Sequence, residues 1–224
     1  MSVNIKTDHS TLPVKTTTSP ILTGGSVLGI KYNDGIMVAA DTQGSYGSMA
    51  MHRRLQRIHT FSNGTMVAVS GEISDYQILV EEIEEELERE RLEETNSIMS
   101  TVELYNYIRT LLYDRRNDFK PNWNDIIVAG IEEGVQQLFV IDQLGTCWGD
   151  DYLVTGFGAS FALPLIRSNW RQDLTEGEAR GLLEQALRLC YYGDCKAINR
   201  FQLGKVTANG AVISEPFTLE TNWV

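Results

Sequence analysis

The sequence predicts an α+β domain in which antiparallel hairpins alternate with pairs of helices. Three observations support this class: apolar runs joined by short glycine-containing turns, hydroxyl residues followed three positions later by Glu or Gln, and the order of both signals. That order is hairpins, two helices, a hairpin, two helices and a last hairpin. We therefore expect helices that cover layers of antiparallel strands.

The regular structure is predicted to begin with two hairpins. Apolar runs at 26–32 and 36–40 flank the turn Asn33-Asp34-Gly35. Asp-Gly between two apolar runs favours a hairpin because glycine adopts positive φ without steric cost. A second pair of runs, at 55–61 and 65–70, flanks an Asn-Gly turn and predicts another hairpin.

Two helices and a hairpin follow. Ser74 is followed three residues later by glutamine and Ser100 by glutamate, which predicts a capping box at the start of each helix. Apolar residues recur at helical spacing behind both boxes. The runs at 125–131 and 135–142 are joined by Glu-Glu-Gly and predict the next hairpin.

The last part of the chain repeats the pattern. The apolar segment 159–166 predicts a helix despite Pro164, and Thr175 begins a third capping box ahead of a long apolar stripe. The runs at 201–207 and 211–214 flank an Asn-Gly turn and predict the final hairpin.

Composition limits the classes of function. The chain has 224 residues and a formal net charge of −11, which disfavours nucleic acid as a partner because binding phosphates requires clustered Lys and Arg. No apolar run approaches the ~20 residues that span a bilayer, and the polar start carries no secretory segment. Three cysteines without CxxC spacing indicate reduced thiols, with Cys190 on an apolar stripe of the core.

Acidic residues concentrate on the first predicted helix. Glutamates dominate one of its faces between Glu81 and Glu94, and Arg89 and Arg91 are the basic residues within this stretch. Such a face can be an acidic docking surface or an ordinary solvated face, and the pattern favours the solvated face.

The opening of the chain resembles the opening of proteasome β-type subunits. A Gly-Gly pair precedes the first hairpin, the second strand leads into Asp41, and Gly-Ser-Tyr-Gly follows. The resemblance extends over nearly the whole chain from Thr16 onward and favours the subfamily of the non-catalytic seventh β-type subunit. The stretches that carry it are Gly44-Ser45-Tyr46-Gly47-Ser48, Arg115-Arg116, Pro121 with Trp123-Asn124, Thr155-Gly156-Phe157-Gly158-Ala159, Tyr191-Tyr192, Asn199-Arg200-Phe201-Gln202 and Thr221-Asn222-Trp223.

The resemblance implies a fold and a domain division. Members of the family have the N-terminal-nucleophile hydrolase fold, a four-layer αββα sandwich. We accordingly expect residues 1–16 to be a leader, or propeptide, and residues 17–224 to form a single proteasome β-type domain.

The resemblance also locates the active site of the proteolytic members. In those members a Thr nucleophile follows a Gly sixteen residues before an Asp, and a Lys lies sixteen residues after that Asp. Counted from Asp41, these places hold Gly25, which has no side chain, and Arg57. An Arg keeps its charge and cannot replace a lysine whose proton position matters.

Two supporting serines of the family are replaced as well. The Gly-Ser-Gly motif reads Gly156-Phe157-Gly158, and the Asp-x-x-Ser motif reads Asp194 with Ala197 three residues later. The resemblance therefore predicts no catalytic residue. It predicts six degenerate active-site positions, namely Gly25, Asp41, Arg57, Phe157, Asp194 and Ala197. We expect the two retained aspartates to be structural, paired with a cation such as Arg57 or capping nearby backbone.

Two other hydroxyls are rival nucleophiles. Thr18 follows no glycine and is separated from the strand by Pro20. Ser26 follows Gly25 but is one residue out of register, and a one-residue slip turns a strand side chain to the opposite face. Both are therefore disfavoured.

The resemblance implies an architectural role in the 20S proteasome core, a 28-subunit barrel of four seven-membered rings. The expected partners are other α- and β-type subunits, with unfolded or ubiquitin-tagged polypeptides as indirect substrates, and no nucleic acid, membrane, cofactor or metal. We expect the cytoplasm and nucleus as its location, and trimming of the leader near Thr16 or Thr17. Two alternatives stay open: an active N-terminal-nucleophile peptidase of Thr or Ser type, and a free-standing acidic binding module.

Overall fold

The computed structural model describes residues 17–92 and 98–223, and the elements below are those of the described residues. The strands are β1 (Leu22–Gly24), β2 (Val27–Tyr32), β3 (Gly35–Asp41), β4 (Gly44–Tyr46), β5 (Met49–His52), β6 (Ile58–Thr60), β7 (Met66–Glu72), β8 (Asn124–Glu132), β9 (Val135–Ile141), β10 (Cys147–Gly149), β11 (Tyr152–Val154), β12 (Phe201–Thr207) and β13 (Gly210–Ile213). The helices are α1 (Ile73–Leu92), α2 (Thr101–Asn117), α3 (Gly158–Phe161), α4 (Leu163–Asn169) and α5 (Glu176–Gly193). The predicted α+β class is confirmed.

The strands form two antiparallel sheets. Sheet 1 has the order β10-β9-β8-β7-β1-β4-β5, with β6 also pairing with β7, and sheet 2 has the order β11-β2-β3-β12-β13. The first predicted hairpin pairs β2 with β3 and places Val27 opposite Ala40. The chain passes from sheet 1 to sheet 2 between β1 and β2, so Gly25 and Ser26 form the crossing.

Three apolar clusters hold the layers together. One joins α1 and α2 to sheet 1 and includes Ile83 and Val128. The second fills the space between the sheets and includes Val38 and Ile127. The third joins sheet 2 to α4 and α5 and includes Leu183. The layers therefore follow the order helices, sheet 1, sheet 2, helices, and the crossing at residues 25–26 lies between the two sheets.

The predicted capping box at Ser74 is wrong. The helix α1 begins at Ile73, so Ser74 lies inside the helix instead of capping its start. The carboxylate of Glu72, at the end of β7, accepts hydrogen bonds from the hydroxyl of Ser74 at 2.9 Å and from its backbone N–H at 3.4 Å. The boxes at Ser100 and Thr175 are confirmed, since each shows both reciprocal hydrogen bonds.

The predicted helix at 159–166 is divided into α3 and α4. Pro164 lies in the first turn of α4, where a helix tolerates a residue without a backbone N–H. The division at Ala162 lets α4 run on to Asn169. The proline therefore begins a helix here instead of interrupting one.

The second predicted hairpin is shorter than expected. Of the run 55–61, only Ile58–Thr60 is a strand. The N–H of Leu55 bonds to the carbonyl of Thr42 at 2.9 Å instead of joining a sheet ladder. The strands β1, β4, β5, β10 and β11 have three or four residues each, too few for a readable alternation of apolar and polar side chains.

Some glutamates of α1 contact nitrogen atoms of other side chains in this chain. Glu84 lies 3.0 Å from Nε2 of His59, and Glu82 forms an ion pair with Arg115 of α2. The predicted acidic run extends to Glu94, which lies outside the described residues. These internal pairs support the solvated-face interpretation of α1.

Two glycine-to-alanine changes test this packing, and we expect one to lower the free energy of unfolding and the other to raise it. Gly71 has a φ of +96°, and a Cβ there would lie 2.0 Å from the Trp123 carbonyl oxygen. We expect Gly71→Ala to lower the free energy of unfolding by at least about 2 kcal/mol. Gly181 lies inside α5 with open space around it, so Gly181→Ala should raise that free energy by roughly 0.5–1 kcal/mol. Urea denaturation measures both, and a stabilising Gly71→Ala would contradict the packing described here.

Candidate functional site

Arg57 is the centre of the site. Its side chain is 1% exposed and forms an ion pair with the carboxylate of Asp41. Its Nε donates to the Asp41 carbonyl at 3.0 Å, and its Nη1 donates to the carbonyls of Gly25 at 2.7 Å and Val69 at 3.2 Å. Its Nη2 also donates to the Ser26 carbonyl at 3.2 Å. The guanidinium therefore fastens the crossing between the sheets to β3 and β7.

Gly24 makes room for this guanidinium. A Cβ on Gly24 would lie 2.5 Å from Cδ of Arg57. Real Cβ atoms do not approach another carbon so closely, so the arginine in this position requires a glycine at 24. The two residues form a matched pair, and the prediction that Arg57 partners a retained aspartate is confirmed by its ion pair with Asp41.

The environment of Asp41 acts on its protonation in two directions. Burial raises the pKa of the Asp41 carboxyl above its ordinary value, because a charged carboxylate loses hydration. The Arg57 guanidinium and the N–H of Gln43 oppose that rise. The negative charge of the Asp41 carboxylate is balanced in the folded protein by its ion pair with Arg57.

Asp194 caps backbone, as predicted. It follows α5, and its Oδ1 accepts the N–H of Lys196 at 2.9 Å. Its Oδ2 would lie 3.7 Å from a Cβ built on Gly25, and Oδ2 of Asp41 would lie 3.8 Å from the same point. Any side chain at residue 25 would therefore face two carboxylates.

A cavity of about 400 Å³ opens beside this position. Gly25, Phe157, Asp194 and Lys196 are among the residues that line it. The ring of Phe157 is 63% exposed. Ala197 lines a smaller adjoining pocket together with Asp194. The structure thus brings all six predicted positions to one place, while their assignment as degenerate catalytic positions stays a prediction.

Ser26 is engaged by the main chain. Its hydroxyl accepts the N–H of Gly158 at 2.7 Å. Cys190 also hydrogen-bonds this hydroxyl, and burial, with Asp194 and Asp41 nearby, raises the pKa of the Cys190 thiol to about 12. The amide of Gly158 therefore holds this hydroxyl as an acceptor, and neither that amide nor a protonated thiol supplies a general base.

The segment before Gly25 is part of the sheet, and sequence reasoning missed the residues that hold it. Strand β1 lies between β4 and β7 and is antiparallel to both. The hydroxyl of Thr17 donates to Asp75 at 2.6 Å, and Nε1 of Trp123 donates to the Thr17 carbonyl at 3.1 Å. The carboxylate of Glu72 accepts the N–H of Leu22 at 3.1 Å. Thr16 lies outside the described residues.

Comparison with known proteins places this geometry in a family. A family model described as "Proteasome subunit" matches residues 21–206. The chain belongs to the proteasome subunit family. A relative from Xenopus laevis named proteasome subunit beta type-4 is 35% identical, with 94% of this chain and 88% of the relative covered. A relative of the same name from Arabidopsis thaliana is 34% identical, with 91% and 83% covered.

A third relative, from Saccharomyces cerevisiae, is named proteasome subunit beta type-7. It is 34% identical, with 88% of this chain and 78% of the relative covered. All three names are of β-type proteasome subunits, so the resemblance drawn from the sequence motifs is confirmed. The hydrogen-bonded Arg57, the glycine at position 25 and the pairing of β1 are thus features of a proteasome-family chain.

Two further features concern metal binding and membrane spanning. Within 17–92 and 98–223, no three His, Cys, Asp or Glu side chains are grouped so that they could hold a metal ion. Across the same ranges, no helix has both the length and the apolar content needed to cross a bilayer.

Proposed function

We propose that this chain is a non-catalytic, architectural subunit of the proteasome core. It occupies one place in a seven-membered β ring and has the four-layer αββα sandwich of the N-terminal-nucleophile hydrolases. The observation that carries this proposal is Arg57, whose guanidinium occupies the space beside residue 25 and binds the Gly25 and Ser26 carbonyls. The beta type-4 names of the relatives support the assignment to the ring.

The chemistry of the site supports an inactive subunit. Nucleophilic catalysis of peptide hydrolysis requires an attacking hydroxyl, a group that accepts its proton and donors that orient both. Residue 25 has no side chain, and the guanidinium of Arg57 donates to backbone carbonyls and to Asp41, which makes it a donor and no proton acceptor. Phe157 and Ala197 carry no hydroxyl. Each required group is absent independently of the others.

A place in the β ring determines which proteins the chain would contact. The chain would contact other α- and β-type subunits, wall the degradation chamber and support neighbouring subunits that hydrolyse unfolded or ubiquitin-tagged polypeptides. Its location would be that of the whole particle, in the cytoplasm and the nucleus.

Native mass spectrometry tests the placement. We expect this chain to co-purify in a particle whose mass equals that of four seven-membered rings, with two copies of the chain present. Isolation of the chain only as a monomer, or in a complex without other proteasome subunits, would contradict the placement and favour a free-standing module.

The mature N-terminus should lie near Thr16 or Thr17. Proteases of neighbouring subunits can remove residues only as far as the chain is accessible, and the contacts of Thr17 with Asp75 and Trp123 begin the protected part. N-terminal sequencing of the chain from the particle measures the boundary. A start at Gly25 or Ser26 would contradict this prediction.

A variant tests which contacts protect the segment after Thr17 from trimming. Glu72→Ala removes the acceptor for the N–H of Leu22, so trimming should advance beyond Thr17 toward Gly25. Glu81→Ala, at an exposed glutamate of α1, is the control and should leave the N-terminus unchanged. An unchanged N-terminus in Glu72→Ala would show that these contacts do not set the boundary.

A further inference from the structure

The free edge of sheet 1 presents apolar side chains to solvent. Strand β5 is the last strand of that sheet, and within the described residues no strand pairs with its outer side. Met49 and Met51 on β5 are each 55% exposed. Tyr46, directly opposite Met49 on β4, is 52% exposed. These side chains form an apolar patch beside a row of backbone groups available for hydrogen bonding.

Two exposed arginines follow the same strand. Arg53 and Arg54 are exposed, and neither guanidinium has a hydrogen bond or ion pair within residues 17–92 and 98–223. Other exposed arginines of this chain, such as Arg89, Arg171 and Arg180, do pair with glutamates. In a chain of net charge −11, this leaves a local positive site next to the apolar patch.

We propose that this surface, Tyr46, Met49, Met51, Arg53 and Arg54, binds an extended acidic segment of a neighbouring subunit, which adds to β5 as a further strand. Strand addition supplies main-chain hydrogen bonds along the free edge, and alternate side chains of the segment then contact the apolar patch. Carboxylates of the segment pair with the two guanidinium groups, which accept such partners in a bidentate geometry. The inference rests on the proposed function, because it takes the partner from the ring.

Protection against aggregation alone does not explain the surface. Monomers place charges on edge strands to prevent unwanted pairing. Here three large apolar side chains are exposed beside the charges, and Met, Tyr and Arg are the residue types that interfaces favour over the rest of a protein surface. An apolar centre with a charged rim is the arrangement of an interface.

Charge reversal tests the partner's charge. Arg53→Glu with Arg54→Glu changes the net charge by −4, and Arg109→Glu with Arg167→Glu makes the same change at exposed positions of α2 and α4. Each tagged double variant is expressed beside the untagged wild-type chain, and native mass spectrometry measures the fraction in the complete particle. We expect the first variant to be incorporated roughly tenfold less than wild type, since like charges then face each other, and the control to match wild type.

The outcomes separate the two proposals. Equal incorporation of both variants and wild type, or equal loss in both, would overturn the docking proposal while leaving the placement in the ring intact. A wild-type chain absent from the particle would instead overturn the proposed function.

A second measurement identifies the segment. A photoreactive phenylalanine at position 49, in the assembled particle, should cross-link to an acidic, extended peptide of a neighbouring subunit. The backbone amides of Met49–His52 should exchange hydrogen more slowly in the particle than in the free chain, because the added strand bonds to them. A cross-link to a helix or to a second copy of this chain, or unchanged exchange, would overturn the proposal.

Discussion

Replacing Arg57 by methionine should lower the free energy of unfolding by roughly 3–5 kcal/mol. The change leaves the buried carboxylate of Asp41 without its ion-pair partner, and removes a donor from the buried carbonyl of Val69 and the half-buried carbonyl of Gly25. Removing one partner of a buried ion pair is costly because the other charge stays buried and uncompensated. The loss should exceed that of any single surface change in this chain.

Matched variants isolate the cause. Arg53→Met changes an exposed arginine whose guanidinium has no partner among the described residues, and it should alter the free energy of unfolding by less than about 0.5 kcal/mol. Adding Asp41→Asn to Arg57→Met removes the uncompensated charge and should restore part of the loss. Urea denaturation followed by circular dichroism compares the variants. An Arg57→Met variant as stable as Arg53→Met would show that the buried arginine does not hold the crossing.

The same variant should be sensitive to pH. Without Arg57, burial raises the folded pKa of Asp41 further above the unfolded value of about 3.9. A carboxyl whose pKa is raised by folding contributes stability below its unfolded pKa and loses that contribution as the pH rises through its folded pKa. The deficit of Arg57→Met relative to wild type should therefore be larger at pH 7 than at pH 4. An equal deficit at both pH values would contradict this origin.

Gly25→Thr alone should not restore catalysis. The structure has room for the Cβ of the new side chain, which would lie 3.7 Å from Oδ2 of Asp194 and 3.8 Å from Oδ2 of Asp41. A hydroxyl there would face the carboxylates of Asp194 and Asp41, and the place of the family's lysine holds Arg57, which offers charge and no base. Catalytic groups that act as a unit are strongly non-additive, so one restored member recovers little. We expect no cleavage after Gly24 and no labelling by a threonine-directed electrophile.

The smallest set that we expect to show self-processing is fourfold, namely Gly25→Thr, Arg57→Lys, Phe157→Ser and Ala197→Ser. The four changes supply the nucleophile, a lysine and two hydroxyl donors, so the site regains preorganised partners. Sequencing of the N-terminus in assembled particles compares the fourfold with the single variant. Clean cleavage after Gly24 from Gly25→Thr alone would show that Arg57 and the missing serines do not block the reaction.

Much of the fold could be read from local signals. Glycine-containing turns identified the hairpins, and the reciprocal bonds of Ser100 and Thr175 identified two helix starts. The capping box predicted at Ser74 was wrong because the carboxylate of Glu72, at the end of the preceding strand, accepts the hydrogen bonds of the Ser74 hydroxyl and N–H. The strands β1, β4, β5, β10 and β11 were not predicted because three or four residues are too few for a readable alternation of apolar and polar side chains.

In the site, too, some features could be predicted from the sequence and others could not. Spacing relative to Asp41 located Gly25 and Arg57 through the family resemblance, and the ion pair of Arg57 followed from simple charge complementarity. The requirement for Gly24 beside the guanidinium was not readable, because it depends on the path of a buried side chain. The anchoring of Thr17 by Asp75 was not readable either, since it joins residues far apart in sequence.

The central claim, that this chain is a proteasome subunit without its own peptidase activity, is tested most directly by intact mass measurement. Purified particles are treated with an electrophile directed at N-terminal threonines, and every subunit is then weighed. We expect adducts on catalytic neighbours and an unmodified mass for this chain, with residues upstream of Gly25 retained. A stoichiometric adduct on this chain, at Ser26 or Thr17, would contradict it.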